Sequence, residues 1–185
     1  TEIYTLSLHD ALPILTGTLV QDPAGVVEIE LGASEAGPIH DRLAVSGSAY
    51  LDGLLRLERL EGFVPELGSS FAVATHAAPF GRFRQVEGTA VGDDLRFDVT
   101  YQPTQVLVET VAASSTNEQA PTIVRQPANQ EVVQGRPAWF GVTVNGATPL
   151  AYQWQLNEID LPGATGSVLH LPAVSSADAG AYRVL

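Results

Sequence analysis

At 185 residues the chain has room for one large domain or two small ones. With 45% hydrophobic and 16% charged residues it belongs among folded chains rather than disordered ones. A net charge of −12 argues against nucleic acid and anionic membrane surfaces as partners, because neutralising phosphates takes clustered cations. The absence of Cys excludes disulfides, thiolate nucleophiles and Cys-ligated zinc, and no apolar run reaches the roughly 18 residues of a spanning helix, so membrane insertion is not expected.

Residues 1–14 resemble, position by position, the translation of a short-read sequencing adapter. They are expected to be an artefact with no part in fold or function, so His9 and Asp10 are not read as a metal or catalytic pair. The native N-terminus, including any signal peptide, is then undefined. From Leu15 onward the pattern is β. Val27, Ile29 and Leu31 alternate with Glu28 and Glu30, the period of a half-buried strand. One parity is then kept through Leu43, Val45, Gly47, Ala49, Leu51, Gly53, Leu55 and Leu57, and glycines inside such a run predict bends between strands. Further strands are predicted around Phe71 and Val73, at Phe83, from Leu95 through Phe97 and Val99 to Tyr101, and at Val106 and Val108. Only residues 54–60 are briefly ambiguous with helix.

Residues 113–120 are small and polar, the composition of a linker. Charge divides there as well. Residues 15–112 hold six Arg and fourteen acids, whereas 121–185 hold three Arg and four acids. Two domains, 15–112 and 121–185, account for this better than one continuous sheet.

In the second segment, Ala138, Phe140, Val142 and Val144 alternate with Trp139, Gly141 and Thr143. Strands follow at 150–155, 168–171 and 182–185, with a polar turn at Asn157 and Glu158. Short strands at this spacing suggest a sandwich. On that frame Pro121, Gln126, Pro127, Gly135, Trp154, Leu169 and the run 178–182 resemble the bacterial immunoglobulin-like domains of large secreted proteins. The resemblance implies that residues 149–154 form strand C, that Trp154 fills the core, and that Tyr182 forms a tyrosine corner leading into strand F. It also implies that Val142 and Val184 stand where the family carries its cysteines, giving an apolar contact without the covalent link. Asp178 is expected to accept backbone N–H groups in that corner. No Arg lies between Asn157 and Ala177 to pair with it, as happens in many relatives. The chain is expected to stop inside strand F, without strand G.

In the first segment, the run from Asp41 through Leu55, with the stretches 62–68 and 81–83, resembles the repeats of autotransporter-type adhesins. That resemblance implies a β-solenoid, with residues 93–111 capping its open core. An antiparallel sandwich with long hairpins is the alternative. The expected fold class is thus all-β: a β-solenoid-like or sandwich-like region, then an incomplete immunoglobulin-like sandwich.

Candidate chemistry is sparse. His40 and Asp41 are adjacent, so on a strand they would face opposite ways, and a structural turn is expected. His76 and His170 read as surface or strand-end residues. Asp93, Asp94 and Asp98 read as a solvated turn, and Glu58, Glu61 and Glu66 as surface acids rather than a glycosidase pair. No catalytic residue, metal or cofactor is expected. Trp139, outward-facing by parity, is the one candidate ligand contact, and its alternative role is packing against the linker, an adjacent domain or Pro137. The implied function is a non-catalytic structural or adhesive fragment of a secreted or cell-surface bacterial protein, with other proteins or surface polysaccharide as partners. The alternative is a spacer or carbohydrate-binding accessory region of a polysaccharide-degrading enzyme.

Overall fold

The computed structural model describes residues 14–34, 37–114, 120–147 and 149–185. Residues 1–13, with His9 and Asp10, and most of the expected linker lie outside the described residues. The chain is all-β, and the only helical turn described is a 3-10 turn at Ser176–Asp178.

Three short strands recur in one order three times. The first set is β1 (Ile14–Leu15), β2 (Leu19–Val20) and β3 (Val26–Ser34), after which β4 (Gly37–His40) folds back antiparallel along β3. Ile14, the last residue of the adapter-like stretch, thus lies in a strand. The second set is β5 (Leu43–Val45), β6 (Ser48–Leu51) and β7 (Leu54–Arg59), and the third is β8 (Ser70–Thr75), β9 (Ala78–Gly81) and β10 (Gln85–Glu87). Corresponding strands lie parallel, giving the columns β1-β5-β8, β2-β6-β9 and β3-β7-β10. The stretch ambiguous with helix is β7.

Corner glycines make this stacking possible. Gly47 stands between β5 and β6, and Gly53 between β6 and β7, where bends were expected. A Cβ on Gly53 would run into the Gly25 and Asp22 carbonyls of the turn before it, and one on Gly88 into the Leu57 carbonyl. The bare backbones approach closely enough to bond from one turn to the next. Gly47 N–H donates to Gly17 (3.0 Å) and Ala77 N–H to Gly47 (3.0 Å), while Leu54 N–H donates to Gly25 (2.9 Å) and Arg84 N–H to Gly53 (2.8 Å).

Inward residues from all three sets, among them Leu31, Val45, Leu51, Leu55, Leu57, Phe71 and Val73, share one core. On the outer face, Glu28, Arg56 and Glu87 occupy a single register position across β3, β7 and β10, with Arg56 bonded to both acids (2.6 and 3.3 Å). Solvent screens such partly exposed pairs, so they contribute little to stability. The parallel order ends in a hairpin, β11 (Leu95–Tyr101) and β12 (Gln105–Ala112). It joins β8 antiparallel and adds Phe97, Tyr101, Val106 and Val108 to the core.

The second region comprises β13 (Thr122–Arg125), β14 (Ala138–Gly141), β15 (Thr143–Asn145), β16 (Trp154–Leu156), β17 (Ile159–Asp160), β18 (Val168–Leu171) and β19 (Tyr182–Val184). The run expected as one strand from Ala138 changes partner at Val142. β14 pairs with β18, and β15 pairs with β13. The strand expected over 150–155 begins only at Trp154. Ahead of it, Gln153 already exchanges backbone bonds with Leu185 (3.1 and 3.0 Å), while 150–152 run as open chain. Asn157 and Glu158 form the two-residue hairpin between β16 and β17, both at positive φ (51° and 69°), as a type I′ turn requires.

Trp154 is fully buried among Val142, Val144 and Leu169, and its indole N–H reaches the Gly166 carbonyl (2.9 Å). The Tyr182 ring stacks on Phe140 (4.6 Å), and its hydroxyl donates to the Asp178 carbonyl (2.7 Å). The Asp178 carboxylate accepts from the Ser175 N–H and hydroxyl (2.7 Å each), which holds its pKa below the usual value. Val184 packs half-buried on the same cluster as Val142. Among the described residues β19 pairs only with β16. Tyr182, at its start, lines a groove of about 490 Å³ that residues 127–130 also border.

Candidate functional site

The residues singled out for chemistry do not converge. Asp41 is buried at a turn, where its carboxylate accepts the Glu30 N–H (2.9 Å). His40 ends β4 and sits edge-on to Phe71. Asp98 pairs with Arg96 (3.0 Å), Asp93 and Asp94 are exposed in the turn before β11, and Glu58, Glu61 and Glu66 are exposed and separate. Among the described residues no three His, Asp or Glu side chains gather as a metal site, and no helix is long and apolar enough to cross a membrane.

His76 differs from its surface reading. It follows β8 as a strand-end residue, yet it is only 5% exposed, and neither ring nitrogen has a hydrogen-bond partner. Burial pushes its pKa below the ordinary value, and the Arg125 cation acts in the same direction. His40 is lowered too, mainly by burial. A histidine lowered on folding is protonated more readily in the unfolded chain. Stability should therefore be fully present above about pH 6.5 and decline as pH falls toward the folded value, by at most about 1.4 kcal/mol per pH unit for each group. Urea unfolding at stepped pH should show this slope, and His76→Leu should remove its own share while that of His40 remains.

What does converge is a seam between the two regions, built on the face of β14 and β15 that parity assigned to the outside. That face is covered. Thr143 is fully buried, and Gly141 lies against Phe80 so closely that a Cβ would meet the Phe80 Cβ at 2.6 Å. Trp139 is half-buried in an aromatic series that crosses the seam. It stacks on exposed His170 (5.1 Å, interplanar 2°) and approaches Tyr50 (6.4 Å), which stacks on Phe80 (4.8 Å). Arg125 lies over the Phe80 ring, 4.6 Å from its centroid. Gln130 donates its side-chain amide to the Trp139 carbonyl.

Polar bonds fix the seam beside these rings. The Tyr101 N–H donates to Asn145 Oδ1 (2.9 Å), and Asn145 Nδ2 donates to the Tyr101 carbonyl (2.8 Å), so one side chain satisfies both backbone groups of a residue in the other region. The Arg82 N–H donates to Ser167 Oγ (3.1 Å), and Arg82 Nη1 donates to the Val144 carbonyl (3.2 Å). The Arg82 guanidinium also sits over the Tyr101 ring (5.1 Å), and complete burial raises the Tyr101 phenol to about 12. Sequence reasoning singled out Trp139 but missed Tyr50, Phe80, Arg82 and Asn145. The available signal was Gly141, a residue without a side chain in mid-strand, which marks close backbone approach.

Comparison with protein-family models finds no match, and neither a curated protein nor a solved structure matches the chain.

Proposed function

We propose that the chain is a non-catalytic structural and adhesive module of a large secreted or cell-surface bacterial protein. In this reading a β-solenoid-like region (15–112) is joined through 113–120 to an immunoglobulin-like sandwich (121–185). The three parallel columns with corner glycines support the first assignment. The Trp154 core, the Tyr182–Asp178 corner and the change of partner at Val142 support the second. The observation that carries the functional reading is the two-way bond of Asn145 to the Tyr101 backbone. A stalk has to hold its direction across a joint, and ordinary interdomain contacts leave relative motion free.

The chain has no native Cys, so cysteines introduced at exposed Glu61 and Glu158 would be the only sites for spin labels. Pulsed electron resonance should give a single narrow distance distribution, broadened by Asn145→Ala. A broad distribution in the parent chain would overturn the rigid-spacer reading. The accessory-region alternative draws on the Trp139–His170 stack, whose outer histidine is exposed.

A further inference from the structure

The side chain that ties the two regions together belongs to an asparagine that a glycine follows. Of Asn117, Asn129, Asn145 and Asn157, only Asn145 precedes Gly, while Glu, Gln and Glu follow the others. Asn145 ends β15, half-buried, with Oδ1 accepting the Tyr101 N–H (2.9 Å) and Nδ2 donating to the Tyr101 carbonyl (2.8 Å). Gly146 leaves the strand at φ 152°, and among the described residues its N–H has no hydrogen-bond partner.

We propose that Asn145–Gly146 is a site of spontaneous deamidation, gated by the seam, whose product unlocks the joint. The Gly146 backbone nitrogen attacks Asn145 Cγ. The N–Cγ bond forms, the Cγ–Nδ2 bond breaks, and the Gly146 proton leaves with Nδ2 as ammonia. Water then opens the succinimide at either carbonyl, leaving an aspartate or an isoaspartate, with nothing oxidised or reduced. Glycine puts no side chain in the way of this ring closure, and an unpaired N–H has no bond to give up first. The closed seam restrains the first step, because both amide atoms are held toward Tyr101 and Cγ has to turn to Gly146. Reaction therefore runs through local openings of the seam. The product cannot close it again in the same way. An ionised carboxylate accepts but does not donate, so the oxygen standing where Nδ2 was would set acceptor against acceptor at the Tyr101 carbonyl. Isoaspartate also adds a methylene to the backbone and displaces the same group. The joint is thus a lock that ages in one direction.

This inference rests on the seam geometry and not on the secreted-spacer reading. Conversion is read by mass and the spacer reading by distance, so either can fail alone. The full chain would be incubated in mildly alkaline buffer, native and in urea. Peptide mapping by mass spectrometry would follow the exchange of amide for acid, and enzymatic methylation would report isoaspartate. In urea, Asn145 should convert at least about tenfold faster than Asn129 and Asn157. In the native chain it should convert measurably, yet about tenfold or more slower than in urea. Gly141→Val, which presses on Phe80, and the milder Arg82→Ala, which removes the bond to Val144, should each speed native conversion with the circular dichroism unchanged. In the spin-labelled chain, Asn145→Asp should broaden the distance distribution relative to the parent. No conversion in the native chain would overturn the site. Equal rates native and in urea, or native rates unchanged in both variants, would overturn the gating. A distribution in Asn145→Asp as narrow as the parent's would overturn the unlocking.

Discussion

Trp154→Ala should lower the unfolding free energy of the second region by roughly 3–5 kcal/mol. The indole is fully buried at the centre of a small cluster, between Val142, Val144 and Leu169, with Phe140 6.4 Å away on one side. Trp154 is the largest fully buried side chain, and the packing around such a deletion relaxes only partly. The same substitution removes the N–H bond to Gly166 and leaves that carbonyl without its indole donor. Urea unfolding followed by circular dichroism would measure the loss, with Trp139 retained as a fluorescent reporter. A cost below about 1 kcal/mol would mean that the ring is not central to the core.

Gly53→Ala should cost about 2–6 kcal/mol, the sum of a strained backbone and an overpacked contact. Gly53 sits at φ +66°, and the added methyl would strike the Gly25 carbonyl, which accepts the Leu54 N–H that helps join the first two turns. Gly92 provides the comparison. Its φ of +105° is also positive, but a Cβ there meets nothing within 4 Å, so Gly92→Ala should cost only the backbone term, about 1–2 kcal/mol. Equal losses at the two sites would show that close stacking at the corner does not matter.

The core of the first region was readable because period-2 alternation depends on burial alone. Leu43, Val45, Ala49, Leu51, Leu55 and Leu57, picked by parity, are all buried. The bends at Gly47 and Gly53 were readable because glycine in a strand has few other uses. Partner choice was not readable, because alternation says which face is buried and not which strand lies alongside. The change of partner at Val142 is invisible for that reason. What covers the outer face of β14 and β15 was not readable for a related one. Parity placed Trp139, Gly141 and Thr143 together correctly but could not say that Tyr50 and Phe80, some 60–90 residues earlier, cover them. His76 carries no local sign of burial, since a single histidine at a strand end looks alike on either side of the surface.

The unpaired side of β19 has a thermodynamic meaning of its own. A strand that docked there would bind only the folded region, because the unfolded chain has no groove beside Tyr182 to receive it. By mass action such a strand raises stability by RT ln(1 + [L]/Kd), whichever molecule supplies it. With such a strand present, the stability of this region would not be a constant of the chain. It would be one point on a binding isotherm whose ligand is a β-strand.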